Sequence, residues 1–79
     1  MDVKTNIRKN IRYIRKKAEY TQQQFADSIS IKRSNLGAYE EGRAIIPIDS
    51  LAEISKNYNV SLDDLVFTNI ELQEQLNSV

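Results

Sequence analysis

The segment from Thr21 to Arg43 constrains this chain more tightly than any other stretch. Thr21 is a helix-capping residue. Gln24, three positions on, can answer it through the cap's own N–H, which makes a capping box. Phe25, Ala26 and Ile29 then recur at the spacing of one buried helical face. Ser28 to Ser30 interrupt the pattern, and it restarts with Ile31, Leu36 and Tyr39. Gly42 supplies a stop where φ can turn positive. The segment predicts two short helices joined by a tight turn. The second begins near Lys32 and leads with polar and basic residues, Arg33, Ser34 and Asn35.

The flanking sequence supplies the remaining elements. Asp2 can cap a helix over Val3 to Ala18, in which Ile7, Ile11, Ile14 and Ala18 form one apolar stripe. Lys4, Arg8, Lys9, Arg12, Arg15, Lys16 and Lys17 fill the rest of that helix, and no acid interrupts them. They read either as a solvated basic face or as phosphate contacts. A membrane-surface helix is disfavoured, because the stripe is narrow and the following helices need it for a core. Ala18, Glu19 and Tyr20 connect to the capped segment. After a loop over 43–47, Pro47 suits a first helical position. A helix from Ile48 to Asn57 would bury Ile48, Leu51, Ala52, Tyr58 and, in part, Ile54, with Asn59 as a left-handed stop. Ser61 and Asp64 form a second capping box for a short fifth helix, where Leu62, Leu65, Val66 and Phe67 close the core. In the tail, Leu72, Leu76 and Val79 sit at i, i+4 and i+7, with Ile70 nearby. The tail either forms an amphipathic helix that docks or pairs with a second copy, or it frays.

Seventy-nine residues allow one domain with a small core. The chain has no cysteine and no histidine. That removes disulfides, thiolate sites, the commonest general base and the commonest metal ligand. Asp63 and Asp64 are neighbours, as are Glu40 and Glu41, so each pair diverges on a helix and makes no acid–base couple. No enzyme, cofactor or metal is expected. No apolar run approaches the ~18 residues of a membrane span, and no leader sequence is visible, so a cytoplasmic protein is expected. Net charge is zero, but it is unevenly placed: residues 1–43 carry +5 and residues 44–79 carry −5. Attraction to a polyanion depends on the local field, so the basic half remains a candidate surface.

Residues Thr21-Gln22, Phe25-Ala26, Ile29, Ile31, Arg33-Ser34, Leu36 and Tyr39-Glu40-Glu41-Gly42 resemble the Xre/Cro-type helix-turn-helix of phage and bacterial repressors. The likeness extends over about residues 5–67. It implies an all-α, five-helix phage-repressor-like domain over residues 1–67, with residues 68–79 as a tail that can add a short C-terminal helix. It also implies sequence-specific binding of double-stranded DNA by a small transcriptional regulator, a repressor first, with helix 32–40 in the major groove. On that reading Arg33, Ser34, Asn35 and Ala38 contact bases. Arg33 can address guanine O6 and N7, and Ala38 a thymine methyl. Gly37 and Ala38 would let the helix approach closely. Thr21, Gln22, Lys32 and Arg43 would contact the DNA backbone. The likeness pairs Arg15 with Glu40 to lock the first helix to the recognition helix, and a homodimer would suit paired half-sites. The chain departs from the family in three places: no glycine in the 18–20 link, Ser30 where glycine is usual, and Lys32 where Ser or Thr caps. The alternative is a protein-interaction module, such as an antitoxin or a partner-tethered regulator. That reading expects an exposed apolar patch on the tail or on the fourth and fifth helices.

Overall fold

Side-chain caps mark the starts of four helices, at Asp2, Thr21, Ser61 and Asn69. A computed structural model describes residues 2–77, and within them six α-helices and no strand form: α1 (Val3–Lys17), α2 (Gln22–Ser28), α3 (Arg33–Glu41), α4 (Ile48–Tyr58), α5 (Leu62–Phe67) and α6 (Ile70–Asn77). Asp2 caps α1, accepting from Lys4 N and from the Thr5 hydroxyl at 2.6 Å. That hydroxyl holds the Asp2 carboxyl below its ordinary value. Thr21 and Gln24 close the capping box of α2 in both directions, at 3.1 and 2.9 Å. Lys32 begins α3 with no side-chain cap. Asn69 starts α6 by accepting from Leu72 N at 3.1 Å.

Two links use the left-handed region without glycine. Glu19, between α1 and α2, and Ser30, between α2 and α3, both have φ of 60°. Each costs about 1 kcal/mol relative to glycine. Gly42 at φ 80° and Asn59 at φ 54° end α3 and α4 as the sequence predicts.

Phe25, Ala26, Ile11, Leu36, Ile54 and Leu65 are fully buried, and Ile14, Ile29, Ile46 and Leu51 complete the core. Burying such a side chain contributes about 1.5–3 kcal/mol. The Phe25 ring stacks on Tyr58 with centroids 4.9 Å apart. The Tyr58 hydroxyl meets Ser28 Oγ at 2.6 Å, and Asn57 Nδ2 donates to Ser28 O at 2.7 Å. These contacts fasten the end of α4 to the end of α2.

Several positions differ from the periodicity reading. Pro47 is the N-cap of α4, not its first residue, because its ψ of 154° is extended. Ile48 and Ala52 face solvent, since Ile46 from the preceding loop fills that end of the core. In α5 only half of the capping box forms. Ser61 Oγ accepts from Asp64 N at 3.0 Å, but the Asp64 carboxylate turns to the Thr68 hydroxyl at 2.9 Å. Leu65 is buried and Val66 packs half-buried against the core, whereas Leu62 and Phe67 are exposed, Phe67 on the face opposite Leu65. In α6 the half-buried Ile70 and Glu74 take the inward face, so Leu72 and Leu76 point outward. Val79, the last residue of that stripe, lies outside the described residues.

Two buried polar side chains join the ends of the chain. Asn6 Nδ2 donates to Val66 O and Thr68 O at 2.9 and 3.0 Å. Asn10 Nδ2 donates to Leu65 O and Thr68 O at 3.0 and 2.7 Å, while its Oδ1 accepts from Ile70 N at 3.1 Å. The asparagines thus satisfy carbonyls that the end of α5 leaves without helical partners. About two turns further along α1, Lys17 pairs with Glu74 of α6. Lys17 holds the Glu74 carboxyl below its ordinary range, while desolvation and Glu74 together raise the Tyr13 phenol. No helix among the described residues is long and apolar enough to cross a membrane.

Asn10→Ala removes the Asn10 half of this bracket and takes from Ile70 N and Leu65 O their side-chain partner, while Asn6 still holds Val66 O and Thr68 O. Unfolding in urea is expected to show a loss of about 2 kcal/mol. Hydrogen exchange is expected to show α6 amides losing protection first. Unchanged α6 protection would disprove the bracket's role.

Candidate nucleic-acid interface

Three helices meet at one carboxylate. Glu40 of α3 is buried, 5% exposed. Arg15 of α1 donates to it twice, Nε to Oε2 at 2.7 Å and Nη2 to Oε1 at 3.0 Å. The remaining Arg15 nitrogen, Nη1, donates to Tyr20 O at 3.1 Å, in the link between α1 and α2. Gln22 Nε2 of α2 donates to Glu40 Oε1 at 3.2 Å. A bidentate pair of this kind fixes distance and plane together. It sets α3 relative to both preceding helices.

With α3 held this way, helical periodicity decides what it presents. Leu36 and Glu40 point inward. Ser34, Ala38 and Glu41, at i, i+4 and i+7, lie along the outward face, with Asn35 beside them. Arg33 stands at the first turn, exposed. Ala38 is half-buried, and its carbonyl accepts from Arg43 N at 2.9 Å, which folds the following loop back under α3. Gly37 is buried on the α2 side. A Cβ there would lie 3.9 Å from Gln22 Oε1, an ordinary contact. Gly37 also lines the open groove between α1, α2 and α3.

An open groove between α1, α2 and α3 brings Gln22, Arg33, Ser34 and Arg43 together. Lys32, Asn35 and Thr21 are exposed around α3 and the start of α2 but do not line it. The Thr21 hydroxyl oxygen is engaged by its own cap. Arg43 is held by Glu41, its Nη2 donating to Oε2 at 2.6 Å, with both side chains exposed. Arg12, one of the α1 basic residues that the sequence leaves between a solvated face and a phosphate contact, lines this groove, as does Glu41, to which the sequence assigns no site role. The signal for Arg12 is spacing. Arg8, Arg12 and Arg15 sit at i, i+4 and i+7, so placing Arg15 against α3 carries the other two to the same flank. No group of three or more His, Cys, Asp or Glu that could hold a metal occurs among the described residues.

The chain matches the helix-turn-helix family model HTH_3 over residues 11–65. Curated relatives include Antitoxin PezA of Streptococcus pneumoniae, 37% identical over 76% of this chain and 38% of that protein. HTH-type transcriptional regulator ImmR of Bacillus subtilis is 38% identical over 73% of this chain and 46% of its own. The uncharacterized HTH-type transcriptional regulator YobD of Bacillus subtilis is 36% identical over 67% of this chain and 47% of its own. The chain thus aligns with less than half the length of each of these relatives. No solved structure gives a significant match.

Glu40→Ala strands the Arg15 guanidinium in a largely buried site. A stability loss of about 3 kcal/mol is expected by chemical denaturation. Glu40→Gln, which keeps an acceptor for Arg15 and Gln22, is expected to lose less. Equal losses from both variants would show that the charge pairing contributes nothing.

Proposed function

The chain belongs to the Xre-like helix-turn-helix family, and from that premise we propose that it is a sequence-specific binder of double-stranded DNA, a small transcriptional regulator that acts as a repressor. The observation that carries the reading is the rigid presentation of α3. The Arg15–Glu40–Gln22 network fixes the helix from behind, and its outward face offers small and polar side chains. A major groove about 12 Å wide admits one such helix. Arg33, Ser34, Asn35 and Ala38 are the base-contacting set, and Lys32, Arg43, Gln22 and Thr21 the backbone set. Among the described residues, no other element packs over that face. The α6 helix docks beside Tyr13 and Lys17, about half a turn around α1 from Arg15. The ImmR and YobD matches, both to regulators, support the same assignment. The reading gives the chain a cytoplasmic location and no catalytic role. It also makes the working form a homodimer on paired half-sites.

A second reading, a module that binds a protein partner, draws on the match to an antitoxin and on the exposed Phe67, Leu72 and Leu76. Unbiased selection from random duplex DNA separates the two. Enrichment of a symmetric motif supports dimeric readout. Enrichment of nothing, with binding that disappears near physiological salt, favours the partner reading.

Two substitutions test the residue assignments. Arg33→Ala is expected to weaken the selected site by about 1–3 kcal/mol and relax choice at one base pair. An equal loss on every sequence would move Arg33 to the phosphates. Arg43→Ala is expected to weaken all sequences alike and lower the salt slope by about one unit. An unchanged slope would take Arg43 out of the contact surface.

A further inference from the structure

The groove beside α3 holds four arginines and two glutamates, and the geometry divides them unequally. Glu40 neutralises Arg15. Glu41 neutralises Arg43 in the free protein. Arg12 and Arg33 are left, and neither makes an ion pair or hydrogen bond among the described residues. Both are exposed. Arg33 belongs to the helix that enters the DNA. Arg12 belongs to another helix and has no structural task.

We infer that Arg12 contacts a DNA phosphate, and that α1 therefore forms part of the binding surface alongside the helix-turn-helix. This rests on the DNA-binding reading above. The assignment to phosphate follows from where the side chain starts. A major groove admits a single helix, so with α3 inside it α1 remains outside, level with the sugar–phosphate edge. A guanidinium with no internal partner has five N–H donors and a planar fork that suits two phosphate oxygens. The base of the side chain is rigid. Ile11 and Ile14 on the same helix are buried in the core, and Asn6 and Asn10 pin the helix to α5. Little backbone freedom then remains to be lost on binding. Lys9, also exposed on α1, stands outside the groove and provides the control.

The test is a salt titration of the full chain on the best selected duplex and on a mixed-sequence duplex, comparing Arg12→Gln with Lys9→Gln. The two variants remove the same charge from the same exposed helix, and thermal melts check that both stay folded. Arg12→Gln is expected to weaken both duplexes roughly three- to tenfold and to lower the salt slope by about one unit. Arg12→Lys is expected to regain most of the slope, because a phosphate accepts either cation. A loss no larger than that of Lys9→Gln overturns the inference while leaving the DNA reading intact. A loss confined to the selected site, with the slope unchanged, overturns it by making Arg12 a base contact. Failure of the unsubstituted chain to bind any duplex overturns the DNA reading and this inference with it.

Discussion

The domain depends on one largely buried ion pair. Arg15 and Glu40 are 25 residues apart in sequence and come from the first and third helices. The pair also holds the link between α1 and α2 through Tyr20 O and the first residue of α2 through Gln22. In net energy a buried ion pair is an uncertain contributor, since desolvation offsets much of the Coulomb attraction. Its effect here is geometric. Apolar side chains can slide past one another at little cost, whereas a guanidinium facing a carboxylate through two parallel bonds has one good position. On the proposed DNA-binding reading, an α3 displaced by a fraction of its own side chains would meet the wrong base edges, and the pair would then bear on specificity more directly than on stability.

Most of the helical framework was legible from residue chemistry. The capping pair Thr21 and Gln24, the left-handed stops at Gly42 and Asn59, and the α1 stripe all express local rules that need no tertiary context. What escaped was set by packing between elements. Ile46 lies in a loop, so no periodicity marks it as core, yet it fills the place that the α4 pattern gave to Ile48. Leu72 and Leu76 make a convincing stripe, but Ile70 and Glu74 are the half-buried residues that face α1. The buried asparagines were invisible for a different reason. Asn6 and Asn10 read as ordinary polar residues on a basic helix until the carbonyls they serve, some 60 positions away, are brought beside them.

The candidate interface divides in the same way. Its α3 helix was legible because polar residues at the front of a helix, followed by a glycine stop, leave a sequence pattern. Its charge balance was not. Whether an arginine is free to meet a polyanion depends on which acids stand beside it in space. Four arginines line one groove, and two of them are already neutralised within the protein. Counting lysines and arginines along the chain therefore overstates the positive field of this surface. It also misses that the two remaining charges come from different helices.

The asparagine bracket bears on how such a chain becomes a folded domain. Asn10 finds its partners at residues 64 to 70, so the first helix cannot satisfy its buried polar groups until most of the sequence exists. A domain of short helices usually folds quickly because its contacts are local. Here that local speed is coupled to a terminal closure spanning nearly the whole chain. During synthesis, α2 and α3 can collapse onto the α1 stripe early, while Asn6 and Asn10 stay hydrated on an open flank. Arrival of α5 and α6 then completes the domain in a late step. A ribosome-bound fragment that ends before residue 64 would carry α3 on an unfinished scaffold.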